Sequence, residues 1–366
     1  MAYSYLPTGR ICLKRDIHFL SWIDAERSKE GKTTLPNNVF VNIVEYFTLP
    51  KIWQPVAASE TDTFIIEKDG SFVQYQDLPL NVLHDNFVPL SSADVGPFIS
   101  VSASPRHTCL IRANGNLTCF GTNAKGQCNV PMDLGPVITV AAGGAHTVAI
   151  RGDGSLICFG DGHWGQCTPP ATISAVKDVA AGNTFTCALL STGDLVCFGD
   201  NRRGVCNPPR DRLHHIIAIA AGKAHICALQ SDGRIVCWGC DEYGQSTPPT
   251  GEHCFIAIAA GEFHTCAIQA DGTLICFGRN DFHECDVPNP SGPFIYVTAG
   301  ARHTCAVNIA GAVVAFGWNV CGQCNLPLNV VVDEHARLAL YELAIKRSKA
   351  LGRNFPTALR VWQCVD

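Results

Sequence analysis

Apolar and polar positions come round in one fixed order over residues 98–327. In one copy, an apolar run ending in small side chains (Val137 to Ala142) meets Gly143, and a second run goes from His146 to Arg151. Asp153-Gly154 then breaks the chain, and Leu156 to Phe159 resumes it. Period-two runs bounded by turn residues predict strands. The order recurs with His at 107, 146, 225, 264 and 303 and Phe185 in the remaining slot, at steps of 39, 39, 40, 39 and 39 residues. A fixed period of about forty residues with a turn in every copy is a repeat architecture. Three strands per copy, with a short fourth near Trp164 to Cys167, make one propeller blade. The Ala-Ala-Gly runs, such as Ala220-Ala221-Gly222, fit the innermost strand, where only small side chains avoid collision.

A worn copy precedes the clear ones. Ala58 to Gly70 aligns without gaps on Ala260 to Gly272, with Asp62 in the His slot and Phe64 two places on, and Phe72 to Tyr75 follows as the next strand. The expected fold is therefore all-β, a seven-bladed β-propeller over residues 51–328. Gln76 to Pro97 is its one long connection. Residues 1–50 form a helical extension, with Val39, Ile43 and Phe47 on one apolar face beside Phe40 and Val44. Residues 329–366 form a closing strand (Asn329 to Val332) and a helix. That helix is capped by Asp333, runs to Leu351, stops at Gly352 and covers a propeller surface.

Composition narrows the classes of function. The net charge is −5 and only 16% of residues are charged, with no basic stripe, so no nucleic-acid partner is expected. No run of 18 apolar residues predicts a membrane span. Arg10, Lys14, Arg15 and Asp16 interrupt the first twenty residues, which do not read as a signal peptide, and an intracellular setting is expected.

Twenty cysteines need a reading of their own. Most occupy three repeat slots: 109, 187, 227, 266 and 305; 119, 158, 197, 237 and 276; and 128, 167, 206, 285 and 324. The Ala270-Asp271-Gly272 turn sets Cys266 opposite Cys276, and the same register sets Cys109 opposite Cys119, Cys187 opposite Cys197 and Cys227 opposite Cys237. The matching slots hold Val148 with Cys158 and Cys305 with Ala315, so the position takes small apolar groups and the thiols are expected to be reduced core residues. Ligand spacing occurs only at Cys237/Cys240 and Cys321/Cys324, with no second pair in register, and no metal is expected. The repeated His, replaced by Asp62 and Phe185, reads as a turn-locking side chain rather than a ring of ligands. No phosphate loop or catalytic constellation is present, so neither a cofactor nor an enzymatic activity is expected.

The combination Gly-x-x-His-Thr-Cys-Ala-Ile, Asp-Gly-x-Leu, Cys-Phe-Gly-x-Asn and Gly-Gln-Cys, in residues 261–278 and 317–324, resembles the regulator of chromosome condensation repeat. The resemblance covers about residues 51–327 and implies a seven-bladed propeller. That family's founding member is an exchange factor for the Ran GTPase and uses an insertion for which the constant period here leaves no room. Leu35-Pro36 before the helix of residues 39–47 resembles the opening of an F-box, which docks on a cullin-ligase adaptor.

Positions that differ between copies are free for recognition. Between the Phe-Gly and Gly-Gln landmarks they supply Lys125, His163, Trp164, Arg202, Arg203, Glu242, Tyr243 and Phe282, with Trp318 beside them. Several are residue types that anchor protein interfaces. The expected function is a non-catalytic, protein-binding propeller that uses this loop face. The alternatives are a cullin-ligase substrate receptor, an exchange factor for a Ran-like GTPase, and a structural part of a larger assembly.

Overall fold

The computed structural model describes residues 54–353, apart from 68–69, 76–86, 89, 91–96, 252–253, 290–291, 328–329 and 333. The F-box-like segment 35–47, the Asp333 cap and the tail beyond Arg353 lie outside the described residues.

Seven separate antiparallel sheets follow one another, over residues 56–75, 87–122, 137–160, 176–199, 216–239, 255–278 and 294–317. Blade 3 is typical, with its first strand at Val137–Ala142, its middle strand at His146–Arg151 and its outer strand at Leu156–Gly160. First strands touch the first strands of both neighbouring blades, and blade 1 closes the circle by meeting blades 2 and 7. The Ala-Ala-Gly strands therefore are the innermost ones. Ile111, Ile150, Leu189, Leu229 and Ile268, all on middle strands, are fully buried between sheets. In this sense each blade completes its neighbour's core.

The expected fourth strand near Trp164 to Cys167 does not form. Among the described residues a fourth strand occurs only in blade 2, where Phe87–Val88 pairs with Leu117–Thr122. The stretch after the outer strand is, in blade 2 as in the others, a tight turn held by side chains. Asn123, Asn201, Asn280 and Asn319 accept the backbone N–H five residues on, at 2.8–2.9 Å. Gln127, Gln166, Gln245 and Gln323, all buried, accept the N–H two residues back. Local side-chain acceptors of this kind take donors away from a ladder. The glycine at the end of the outer strand in blades 2 to 7 has positive φ, +105° at Gly160. A Cβ there would sit 2.7 Å from the Ala145 carbonyl oxygen, so only glycine fits.

Buried polar clasps join the blades. His107 Nε2 lies 2.7 Å from Thr147 Oγ1 of the next blade, and that hydroxyl donates to the Gln127 carbonyl at 2.7 Å. A hydroxyl has one proton, so Thr147 accepts from the His107 Nε2–H, which fixes the tautomer. The same clasp joins His146 to Thr186, His225 to Thr265, His264 to Thr304 and His303 to Thr63. The His is thus a structural lock, as its substitutions imply. Burial pushes the pKa of His146 down to about 4 and those of His225 and His303 down to about 3, so the rings stay neutral.

Two seams lack this clasp: in blade 1 the His slot holds Asp62, which bonds Ser59, Thr61 and Gln74 of its own blade, and the seam between blades 4 and 5 is apolar. Between blades 4 and 5, Phe185 replaces the His, Ile226 the Thr and Val205 the Gln, all buried. The Val205 carbonyl, left without its threonine donor, receives the Trp238 indole N–H at 2.8 Å instead. Trp238 stands where blades 2, 3, 4, 6 and 7 have Phe, so four changes around one contact compensate one another.

The reduced-thiol expectation is corrected in blades 4 and 5, where Cys187–Cys197 and Cys227–Cys237 are disulfides. The register prediction stands: each pair is directly opposed across the middle and outer strands. A slot that tolerates Val or Ala can still hold a bond where both partners are Cys.

Val331 bridges to Ala312 of blade 7 and Val332 to Glu67 of blade 1, so this short stretch stitches the ends of the ring. A helix, α1 (Glu334–Ala350), then packs on blades 6 and 7 through Leu340, Tyr341 and Ala344. The Ser348 hydroxyl donates to the Ala270 carbonyl at 2.9 Å and the Arg347 guanidinium to that of Ile256. Leu351 abuts Gly233 and Arg337 abuts Gly311, both in hairpin turns, so the helix covers the hairpin side of the ring.

Candidate protein-binding face

Loops following the outer strands lie against the turns that precede the middle strands: the Asp161 N–H, for example, donates to the Ala145 carbonyl at 2.9 Å. Both sets therefore emerge opposite the Asp-Gly hairpins and α1. Lys125, Trp164, Arg203, Tyr243 and Phe282 are equivalent positions in blades 2 to 6, each two residues before the buried Gln, Val or Glu. Where that residue is Gln or Glu it fixes the backbone of the loop tip; in blade 6, Glu284 accepts the Phe282 N–H at 2.8 Å. The tips are rigidly presented, and Trp164 (41%) and Tyr243 (44%) remain exposed.

Contacts link these tips from blade to blade. The Arg202 guanidinium lies 4.2 Å from the centre of the Trp164 ring while binding Asp200 at 2.6–3.1 Å, and Trp164 packs edge-on against His163. This bond holds the Asp200 carboxyl down at about 2. Arg203 pairs with Glu242 at 2.7 Å across the next seam. Arg279 then lies 5.4 Å from Tyr243, 5.9 Å from Phe263 and 5.2 Å from Phe282. Arg302 follows, 5.3 Å from Phe282 and 5.5 Å from Trp318. The result is an arc of alternating guanidinium and aromatic groups across blades 3 to 7. Lys125 occupies the same slot in blade 2 but enters none of these contacts.

Phe263, Arg279 and Arg302 were not among the sequence-predicted residues. Phe263 and Arg302 share the slot before the His, and Arg279 shares the slot of Trp318. Their variation from copy to copy was the available signal; Phe263 and Arg302 lie outside the interval between the two landmarks, and Arg279 is its first residue. Stacked guanidinium planes with ordered edges suit carboxylates and backbone carbonyls of a protein, and the rings supply apolar area. Among the described residues no group of three or more His, Cys, Asp or Glu is arranged to hold a metal, and no helix is long and apolar enough to cross a membrane.

The regulator of chromosome condensation (RCC1) repeat model matches six times, at residues 98–127, 137–166, 176–205, 216–245, 255–284 and 294–323. The chain belongs to the RCC1-repeat family. Its six matched copies coincide with blades 2 to 7, and blade 1 is the worn copy. Among solved structures, the chain is similar to the CRINKLY ectodomain of the Arabidopsis thaliana receptor kinase ACR4. That match is 24% identical with a TM-score of 0.57, covering 72% of this chain and 97% of that one. Prp20p of Saccharomyces cerevisiae matches at 19% identity and a TM-score of 0.59, covering 79% and 87%. Human WBSCR16 matches at 17% and 0.57, covering 70% and 87%. These likenesses establish the shared fold. No curated protein sequence matches the chain.

Proposed function

We propose that this RCC1-repeat propeller is a non-catalytic binding module that holds a protein partner on the face carrying the arc from Trp164 to Trp318. The observation that carries this reading is the arc itself: exposed aromatic tips alternating with guanidinium groups, on loops held by buried side chains. Aromatic and arginine side chains held rigidly near the centre of a surface are the usual energetic anchors of an interface. Prp20p binds Gsp1p and histones, and Kap60 is bound to it in a second crystal structure, so protein partners have precedent on this fold.

A photo-crosslinking side chain placed at Tyr243 should capture the partner, and one at Thr192, on a hairpin tip of the opposite side, should not. Tyr243→Ala with Phe282→Ala should lower capture at least tenfold with an unchanged melting curve. Equal capture from both positions would remove the reading. A cullin adaptor or a small GTPase as the captured protein would select between the ligase-receptor and exchange-factor alternatives.

A further inference from the structure

Blades 2 and 6 carry the same opposed cysteines that are joined in blades 4 and 5. Cys109 faces Cys119 and Cys266 faces Cys276 in the register that Cys187 and Cys227 use with their partners. Their sulfurs lie 2.9 and 2.7 Å apart. We propose that Cys109–Cys119 and Cys266–Cys276 are also disulfide sites, so that blades 2, 4, 5 and 6 each carry one covalent bond between middle and outer strand. Blades 3 and 7 cannot, because Val148 faces Cys158 and Ala315 faces Cys305.

Each bond forms by loss of two thiol protons and two electrons to a small-molecule disulfide such as oxidised glutathione. A first exchange makes a mixed disulfide and releases one glutathione thiol; attack by the opposed cysteine closes the protein bond and releases the second. Cys109 and Cys266 are fully buried, so the exchange takes place while the chain is open, before the neighbouring blade covers the pair. The third cysteine of these blades stays outside the bond. Once the blade has closed, burial pushes the Cys128 thiol up to about 12 and that of Cys206 to about 11, and raises Cys285 as well, which keeps them from attacking the finished bond. The slot beside the seam gives the bond a position next to the clasp: Cys266 Sγ lies 3.4 Å from Thr304 Oγ1.

The test uses the full chain, refolded in a glutathione redox buffer, unfolded in N-ethylmaleimide and mapped by mass spectrometry without reduction. Cleavage after Arg112 and before Asp271 separates the partners of each pair. Four linked pairs are expected, with maleimide on Cys128, Cys158, Cys206 and Cys285. Maleimide on Cys109, Cys119, Cys266 and Cys276 would overturn the proposal, whether or not the other two pairs are linked. Cys109→Val, which copies Val148, should leave Cys119 labelled. It should also lower the Tm of the oxidised protein relative to wild type, a difference that disappears in reductant. A Tm difference that persists in reductant would assign the pair to packing alone.

Discussion

Trp238 shows how one residue can answer for three others. Its indole N–H is the donor that the Val205 carbonyl would lose when Ile226 stands in the threonine slot. Trp238→Phe should therefore destabilise the protein by about 1–3 kcal/mol, the cost of a buried acceptor left unmet. Adding Ile226→Thr should recover part of that loss in urea unfolding, because the hydroxyl restores the donor; no recovery would show that ring volume alone matters. The clasp histidines make a second prediction. Burial holds the pKa of His146 at about 4 and those of His225 and His303 at about 3 in the folded protein against 6.5 when unperturbed, so at these three the unfolded chain binds more protons between those limits. Stability should be complete above pH 6.5 and fall as pH drops through that window. The urea midpoint should drop between pH 7 and pH 5, and His146→Phe with Thr186→Ile, copying the seam between blades 4 and 5, should flatten that drop. The sequence exposes Phe185 as an odd residue in the His slot. It does not reveal that Val205, Ile226 and Trp238 answer it, because those residues are 20 to 53 positions away and meet only across a seam.

At the scale of elements, strand pairing was legible because alternation and an Asp-Gly turn leave one register open. The proposed fourth strand was not, because a short polar stretch ending in Pro reads alike as edge strand or turn. What decides it is side-chain bonding to the loop backbone, from the buried Gln or Glu in five blades and from Asn201 in blade 4, where Val205 stands in the Gln slot. Gly160→Ala tests the other end of the same loop. With φ at +105° and the Ala145 oxygen 2.7 Å from any Cβ, the substitution should cost about 1–3 kcal/mol, and an unchanged melting temperature would contradict the geometry. Helix α1 covers part of the ring through the face that holds Leu340, Tyr341 and Ala344. Leu340→Ala should cost about 2–5 kcal/mol through the cavity it leaves against blades 6 and 7. The candidate face was half legible. The loop tips stood out by variation, while Phe263 and Arg302 required knowing that two separated segments emerge side by side.

Across the whole molecule, blades 1 and 7 meet through their strands and the His303–Thr63 clasp, and a two-residue stitch crosses the same junction. Val331 and Val332 reach blades 7 and 1, and the Val332 N–H donates to the Gly311 carbonyl at 3.1 Å. Val332→Pro should open the ring at this junction first, seen as faster hydrogen exchange in blades 1 and 7 than in blade 4. Seven sheets of nearly one design carry a further hazard: any blade edge could dock on a wrong partner, within one molecule or between two. The seam between blades 4 and 5 acts as an index mark against that. If the ring were assembled one blade out of step, a histidine edge would meet Ile226 and strand its Nε2–H, while Phe185 would cover a threonine hydroxyl. The native order meets each clasp Nε2–H with a threonine and the Val205 carbonyl with the Trp238 N–H, so the apolar seam marks its own place in the ring.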